Sequence, residues 1–254
     1  MIFSVMIDTH AHPLLCNRPI EEWVQNAHVA GLSHIVCVAT TIQMGLDSLA
    51  LSTRYPHLLP TIGIHPCEAK NPERLDELEA LIGRNRFYAI GEIGLDFYRD
   101  NASLEQQLYV FESQLKIAQK VGLPVIIHSR NADAEMAPVL NRYPDVKKGV
   151  HCFSSSVDYA LHIASENTYY SFTGMVTYPN KAEILSVIDA LPLEKMMIET
   201  DCPYLTPVAY KGQENQPAFV GEVAKMIAGV KGIAIEEVVK KTSEVAQFFF
   251  GIDV

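Results

Sequence analysis

Apolar and β-branched residues recur along this chain in short, near-continuous runs, and between the runs the apolar positions shift to a spacing of three and four. The runs predict strands at 5–8 (VMID), 34–40 (HIVCVAT), 58–65 (LLPTIGIH) and 87–94 (FYAIGEIG). Four more are predicted at 124–128 (PVIIH), 148–153 (KGVHCF), 169–174 (YYSFTG) and 195–201 (KMMIETD). Such continuous apolar character, in place of strict alternation, suits parallel strands covered on both faces. Between them, 103–121 shows how the helices are encoded. Leu104, Leu108, Phe111, Leu115 and Ala118 fall on one face, Ser103 and Gln106 form a capping box, and Gly122-Leu123-Pro124 ends the helix. Similar patterns predict helices at 21–30, 74–83, 132–142, 157–165, 181–190, 217–228 and 235–249.

Strands alternating with helices, without a linker or a repeated motif, predict one α/β domain over 1–254, a (β/α)8 or TIM barrel. An open doubly wound sheet would share the alternation. No GxGxxG follows the first strand to support nucleotide binding there.

Composition narrows the setting. The chain is 48% hydrophobic over 254 residues, enough for one well-buried core, and no apolar run reaches membrane-spanning length. Its start, MIFSVMIDTHAH, lacks a basic segment before the apolar run, so no secretory signal is expected. Five scattered cysteines without a CxxC pair predict reduced thiols and a cytoplasmic protein. Neither membrane association nor an obligate protein partner is expected. A net charge of −10 argues against coating long nucleic acid, which calls for a broad basic surface. It leaves room for a local, metal-centred phosphate site.

Candidate chemistry lies at the ends of the predicted strands. His10 and His12 close the first, His65 the third, Glu92 and Asp96 the fourth, His128 the fifth, His151 the sixth and Asp201 the last. In a parallel barrel these ends converge on the face where active sites form. The His-x-His spacing puts both imidazoles on one side of the chain. Taken singly, each has an ordinary reading. His128 after an apolar run is more often a hydrogen-bonded core histidine, Glu92 pairs readily with a lysine, and Asp201 before Pro203 can start a turn. His28, His34, His57 and His162 lie in helical or turn settings and are read as structural. Together, the strand-end imidazoles and carboxylates make a metal site, because carboxylates gathered out of water repel and divalent cations remove that cost. Mixed imidazole and carboxylate donors suit zinc or manganese, whereas magnesium normally asks for more oxygen.

The blocks DTHAH (8–12), GEIGLDFYRD (91–100), PVIIHSR (124–130), GVHCFS (149–154), SFTGMVTYPN (171–180) and ETDCPYLTP (199–207) resemble the TatD family of metal-dependent deoxyribonucleases. The likeness runs in order along nearly the whole chain. It implies a TIM barrel of the amidohydrolase superfamily with two divalent metal ions (Mg, Mn or Zn). By matching position, the resemblance assigns His10, His12 and Asp201 to one ion and His128 and His151 to the other, with Glu92 bridging. It makes Asp201 the group that orients or deprotonates the attacking water and His65 the histidine that reaches the substrate phosphate. Arg99, Arg130 and Tyr204 fall in matching blocks as nucleotide contacts, and Lys211 is a further cation after the last strand. Val245 stands where the family usually has asparagine, and Ser155 where glycine is expected. Cys152 and Cys202, beside proposed ligands, are read as packing residues, and the Phe248–Phe250 run as docked on the barrel. The implied function is hydrolysis of DNA phosphodiesters from an end, on single strands or frayed termini. The alternative is a small-molecule hydrolase acting on a lactone, amide or phosphate ester.

Overall fold

The computed structural model describes residues 6–72, 74–99 and 101–252. Val5, the first residue of the first predicted strand, and Asp100, the last of the GEIGLDFYRD block, lie outside them. In chain order the elements begin β1 (Met6–Ala11), α1 (Ile20–Val29), β2 (Leu32–Cys37), α2 (Ile42–Arg54), β3 (Leu58–Pro60) and α3 (Arg74–Ile82). They continue with β4 (Ile90–Asp96), α4 (Leu104–Val121), β5 (Val125–Arg130), α5 (Asp133–Asn141), β6 (Lys148–Val150) and α6 (Val157–His162). The last are β7 (Thr168–Phe172), α7 (Ala182–Ala190), β8 (Met196–Ile198), α8 (Gly221–Lys231) and α9 (Ile235–Phe250). None of the described helices is long and apolar enough to cross a membrane.

All eight predicted strands form, several shorter than expected and some displaced. β4 runs to Asp96 and β5 to Arg130, so Glu92 and His128, within the predicted strands 87–94 and 124–128, lie further from the strand ends than expected. His10 likewise lies inside β1. One helix, α2, is absent from the sequence reading. Thr41 caps it by accepting from the Met44 N–H, but Gly45, Ser48, Ser52 and Thr53 break up its apolar stripe. Gly45 is there for packing, since a Cβ would lie 2.7 Å from Ile62 Cγ1. Helix α8 starts later than predicted, after a separate 3-10 turn at Pro217–Phe219.

The chain folds into two compact units. The first comprises 1–37, 152–160 and 170–254, the second 38–151 and 161–169. In the first, β7 pairs in parallel with β8 and β1 with β2. The segment after β8 joins β1, with Asp201 N–H donating to His10 O and His12 N–H to Cys202 O, both at 2.8 Å. Helix α9 packs on β1 and β8, and its Val238, Thr242, Val245, Ala246 and Phe249 are buried, so Val245 is a core residue of this helix. Phe249 and Phe250 are buried as expected, but Phe248, one position out of phase with that face, is exposed. In the second unit β4, β5 and β6 pair in parallel, and Ile62, just past β3, bridges to Ile90 of β4.

Candidate metal centres

In the first unit three donors converge. His10 Nε2 lies 3.2 Å from His12 Nε2, and Asp201 Oδ1 lies 3.3 Å from His12 Nε2 and 3.7 Å from His10 Nε2. Ligands about 2.1 Å from a tetrahedral ion stand about 3.4 Å apart, so this triangle fits a divalent metal. The surroundings position each donor. His10 is fully buried, and Asp201 sits in the left-handed backbone region at φ +57°, where aspartate is tolerated better than most residues. Asp8, also fully buried, holds the two chain segments together. Its Oδ1 accepts from the His10 N–H at 3.2 Å and the Thr200 N–H at 2.9 Å, and its Oδ2 accepts from Thr200 Oγ1 at 2.5 Å. Burial pushes the Asp8 carboxyl up to about 8 against these hydrogen bonds, with nearby Glu199 adding to the rise.

Glu199, two residues before Asp201, has a different task. It is buried, its Oε1 accepts from the Cys152 N–H at 2.7 Å, and its Oε2 accepts from Ser171 Oγ at 2.6 Å. The last predicted strand therefore ends on two carboxylates because one serves the donor cluster and the other anchors backbone. Cys202 is fully buried, as its packing role requires. Cys152 lies beyond β6 in a left-handed conformation, φ +45°, with Sγ 3.5 Å from Thr173 Oγ1. Its orientation follows from that turn and not from strand alternation.

In the second unit Glu92 is the hub. Its Oε1 lies 2.7 Å from His128 Nδ1 and 2.8 Å from His151 Nε2, and all three side chains are nearly buried. Two imidazole nitrogens facing one carboxylate oxygen require protons or a cation between them, which is the chemistry of a metal site. In the metal-free protein, burial works to raise Glu92, but the charges and hydrogen bonds of His151 and His128 outweigh it and hold the carboxyl well below its usual range. Burial similarly works to lower His128, yet the Glu92 charge and the bonds to Asp96 and Glu92 raise it.

His65 joins the same unit. Its ring lies 4.6 Å from that of His128, and its Nε2 lies 3.9 Å from Glu92 Oε1. Nδ1 accepts from the Cys67 N–H at 3.1 Å, which leaves the proton on Nε2. Burial lowers His65 to about 4 despite the Glu92 charge, so near neutral pH it is an uncharged donor.

The contacts expected of substrate are placed less closely. Arg130 is exposed at the end of β5, with its guanidinium 3.8 Å from the centre of the Tyr98 ring. Arg99 is exposed, and its N–H donates to Asp96 Oδ1 at 2.9 Å. In the first unit Tyr204 is half-exposed, with its ring 6.4 Å from that of His12, and Lys211 is exposed. The residues that sequence reasoning passed over are the supporting ones, Asp8, Glu199 and Gln114. Asp96 was noted only as a strand-end carboxylate. Their hydrogen bonds join segments far apart in the chain, and although Asp8 and Glu199 open the DTHAH and ETDCPYLTP blocks, those blocks do not say what the two carboxylates hold.

Convergent imidazole and carboxylate donors on the parallel strands of an α/β fold define a metal-dependent hydrolase. The chain belongs to the TatD family, since the family model described as "TatD related DNase" matches residues 7–251. It is 32% identical over 255 residues to the uncharacterized metal-dependent hydrolase YabD of Bacillus subtilis, covering 98% of this chain and all of that protein. It is 31% identical over 221 residues to the 3'-5' ssDNA/RNA exonuclease TatD of Salmonella typhimurium, covering 84% of this chain and 85% of that one. The crystal structure of the TatD homolog YjjV from Escherichia coli matches it over the full length of both chains, with a TM-score of 0.92 at 30% identity. The fold class is accordingly the α/β TIM barrel that the sequence predicts.

Proposed function

We propose that this single-domain protein is a nuclease that hydrolyses phosphodiester bonds at the ends of single-stranded or frayed DNA, using two divalent ions. The observation that carries the reading is the pair of convergent donor sets, His10–His12–Asp201 and Glu92–His128–His151. The resemblance makes Glu92 their shared ligand. Bound ions supply electrostatic stabilisation of phosphate oxygens and lower the pKa of water. The chain supplies the remaining functions. Asp201 takes the proton of the attacking water, and His65 donates its Nε2–H to a phosphate oxygen. Arg99, Arg130, Tyr204 and Lys211 hold the flanking nucleotide. The name of the Salmonella relative supports a nucleic-acid substrate. Free thiols at all five cysteines support a cytoplasmic setting. The net charge of −10 favours a second reading, a hydrolase of small lactones, amides or phosphate esters.

A substrate panel separates the two. With magnesium, manganese or zinc supplied in turn, a free-ended single strand should be cut, a closed circle should resist, and Asp201→Asn should lose about 10²–10⁴-fold in turnover. Efficient cutting of the circle would refute end-directed action. Inertness toward all DNA, alongside turnover of a lactone or small ester, would establish the second reading.

A further inference from the structure

We infer that Asp96 is the positioning residue for His128, the carboxylate that fixes which imidazole nitrogen faces the metal. The inference rests on the metal-centre reading above and goes beyond it to a residue outside the donor sets. His128 stands between two carboxylates, with Nδ1 2.7 Å from Glu92 Oε1 and Nε2 3.0 Å from Asp96 Oδ2. Turning the ring over would put carbons at both contacts, so only this orientation serves both. A neutral imidazole carries one proton. Held on Nε2 by Asp96, it leaves the Nδ1 lone pair directed at the Glu92 side, where an ion would bind.

Asp96 is built to hold that proton. It is 2% exposed, and its other oxygen, Oδ1, accepts from the backbone N–H groups of Tyr98 and Arg99, each at 2.9 Å. Its own backbone is clamped by Gln107, which accepts from the Asp96 N–H at 2.8 Å and donates to Asp96 O at 3.0 Å. Both carboxylate oxygens therefore act as acceptors on opposite sides. An asparagine has a single acceptor oxygen and must present its amide N–H groups either to the loop or to His128. The substitution most similar in shape consequently cannot satisfy both partners.

Zinc titration against a competing chelator tests the inference on the wild-type chain and Asp96→Asn, with the melting temperature of each metal-free protein measured alongside. The wild type should take up two ions. Asp96→Asn should keep one affinity and lose about 10–100-fold in the other, in the range found for removal of an orienting partner. Two unchanged affinities, with or without a lower metal-free melting temperature, would reduce Asp96 to a loop anchor and overturn the proposal. A wild-type chain that binds no zinc would overturn both it and the metal reading. Should Asp96→Asn fail to fold, nitrogen NMR of the cadmium-loaded wild type decides. Coupling of cadmium to His128 Nδ1 with a protonated Nε2 supports the assignment, and coupling to Nε2 refutes it.

Discussion

Residues in this chain act in pairs, one to bind and one to hold the binder. Asp201 stands beside His10 and His12, and Asp8 in turn holds the backbone of His10. Gly94 is the most constrained partner of all. It pairs with His128 across β4 and β5 at φ +145°, and a Cβ there would lie 2.0 Å from the His128 carbonyl oxygen. No side chain can yield, because the atom in the way is backbone. Gly94→Ala should therefore cost about 3 kcal/mol or more, combining the positive-φ penalty with forced separation of the two strands. Urea unfolding of the metal-free variant measures this, and a loss below about 1 kcal/mol would show that the strands part easily.

At the scale of elements, helices secure the site by reaching backbone groups that have left the strand ladder. Gln114 of α4 is fully buried, accepts from the Ile64 N–H at 2.8 Å and donates to Ile64 O at 3.0 Å, one residue before His65. Gln114→Leu keeps the apolar contacts but leaves two buried backbone groups without these partners. At about 1–3 kcal/mol each, the expected loss is about 2–6 kcal/mol, read as a lower urea midpoint. Strand β6 begins on a different tension. Lys148 is 1% exposed, donates its Nζ proton to Tyr143 O at 2.7 Å, and is lowered by burial to about 8 from an ordinary 10.5 despite the Asp145 charge. Between those two values the unfolded chain binds more protons than the folded one, so this residue's contribution to stability rises with pH across that window. Below about pH 8 both states are protonated and the penalty is present in full. The stability of Lys148→Met relative to wild type should therefore fall from pH 8 to pH 10.5, as followed by urea midpoints. A constant difference would show that Lys148 keeps an ordinary pKa.

For the whole molecule the governing quantity is charge. With 30 acidic against 20 basic residues, no long run of phosphates can be neutralised along the surface. Arg99, Arg130 and Lys211 are exposed, and under the proposed function they are the cations expected to meet a nucleotide end. Three phosphate contacts to a single strand give a slope of about −2 in log affinity against log salt concentration. A measured slope steeper than about −4 would reveal an extended basic track and displace the end-directed reading.

The sequence by itself determined the alternation of buried parallel strands with amphipathic helices, because both periodicities are local and survive in a single chain. It also made the candidate donors legible, since histidines and carboxylates stand out where apolar runs end. Element boundaries were less legible. Short strands such as β3 and β6 stop where pairing stops, and α2 hid behind Gly45, whose reason is contact with Ile62. The grouping of the donors is what the family resemblance implies, whereas only the tertiary structure decided what each carboxylate touches. Asp201 joins His10 and His12 from the far end of the chain, while Glu199, two positions away, turns instead to Cys152 and Ser171. The difference lies in a left-handed turn at Asp201 and in backbone N–H groups that need an acceptor. Neither is written in the spacing of the residues.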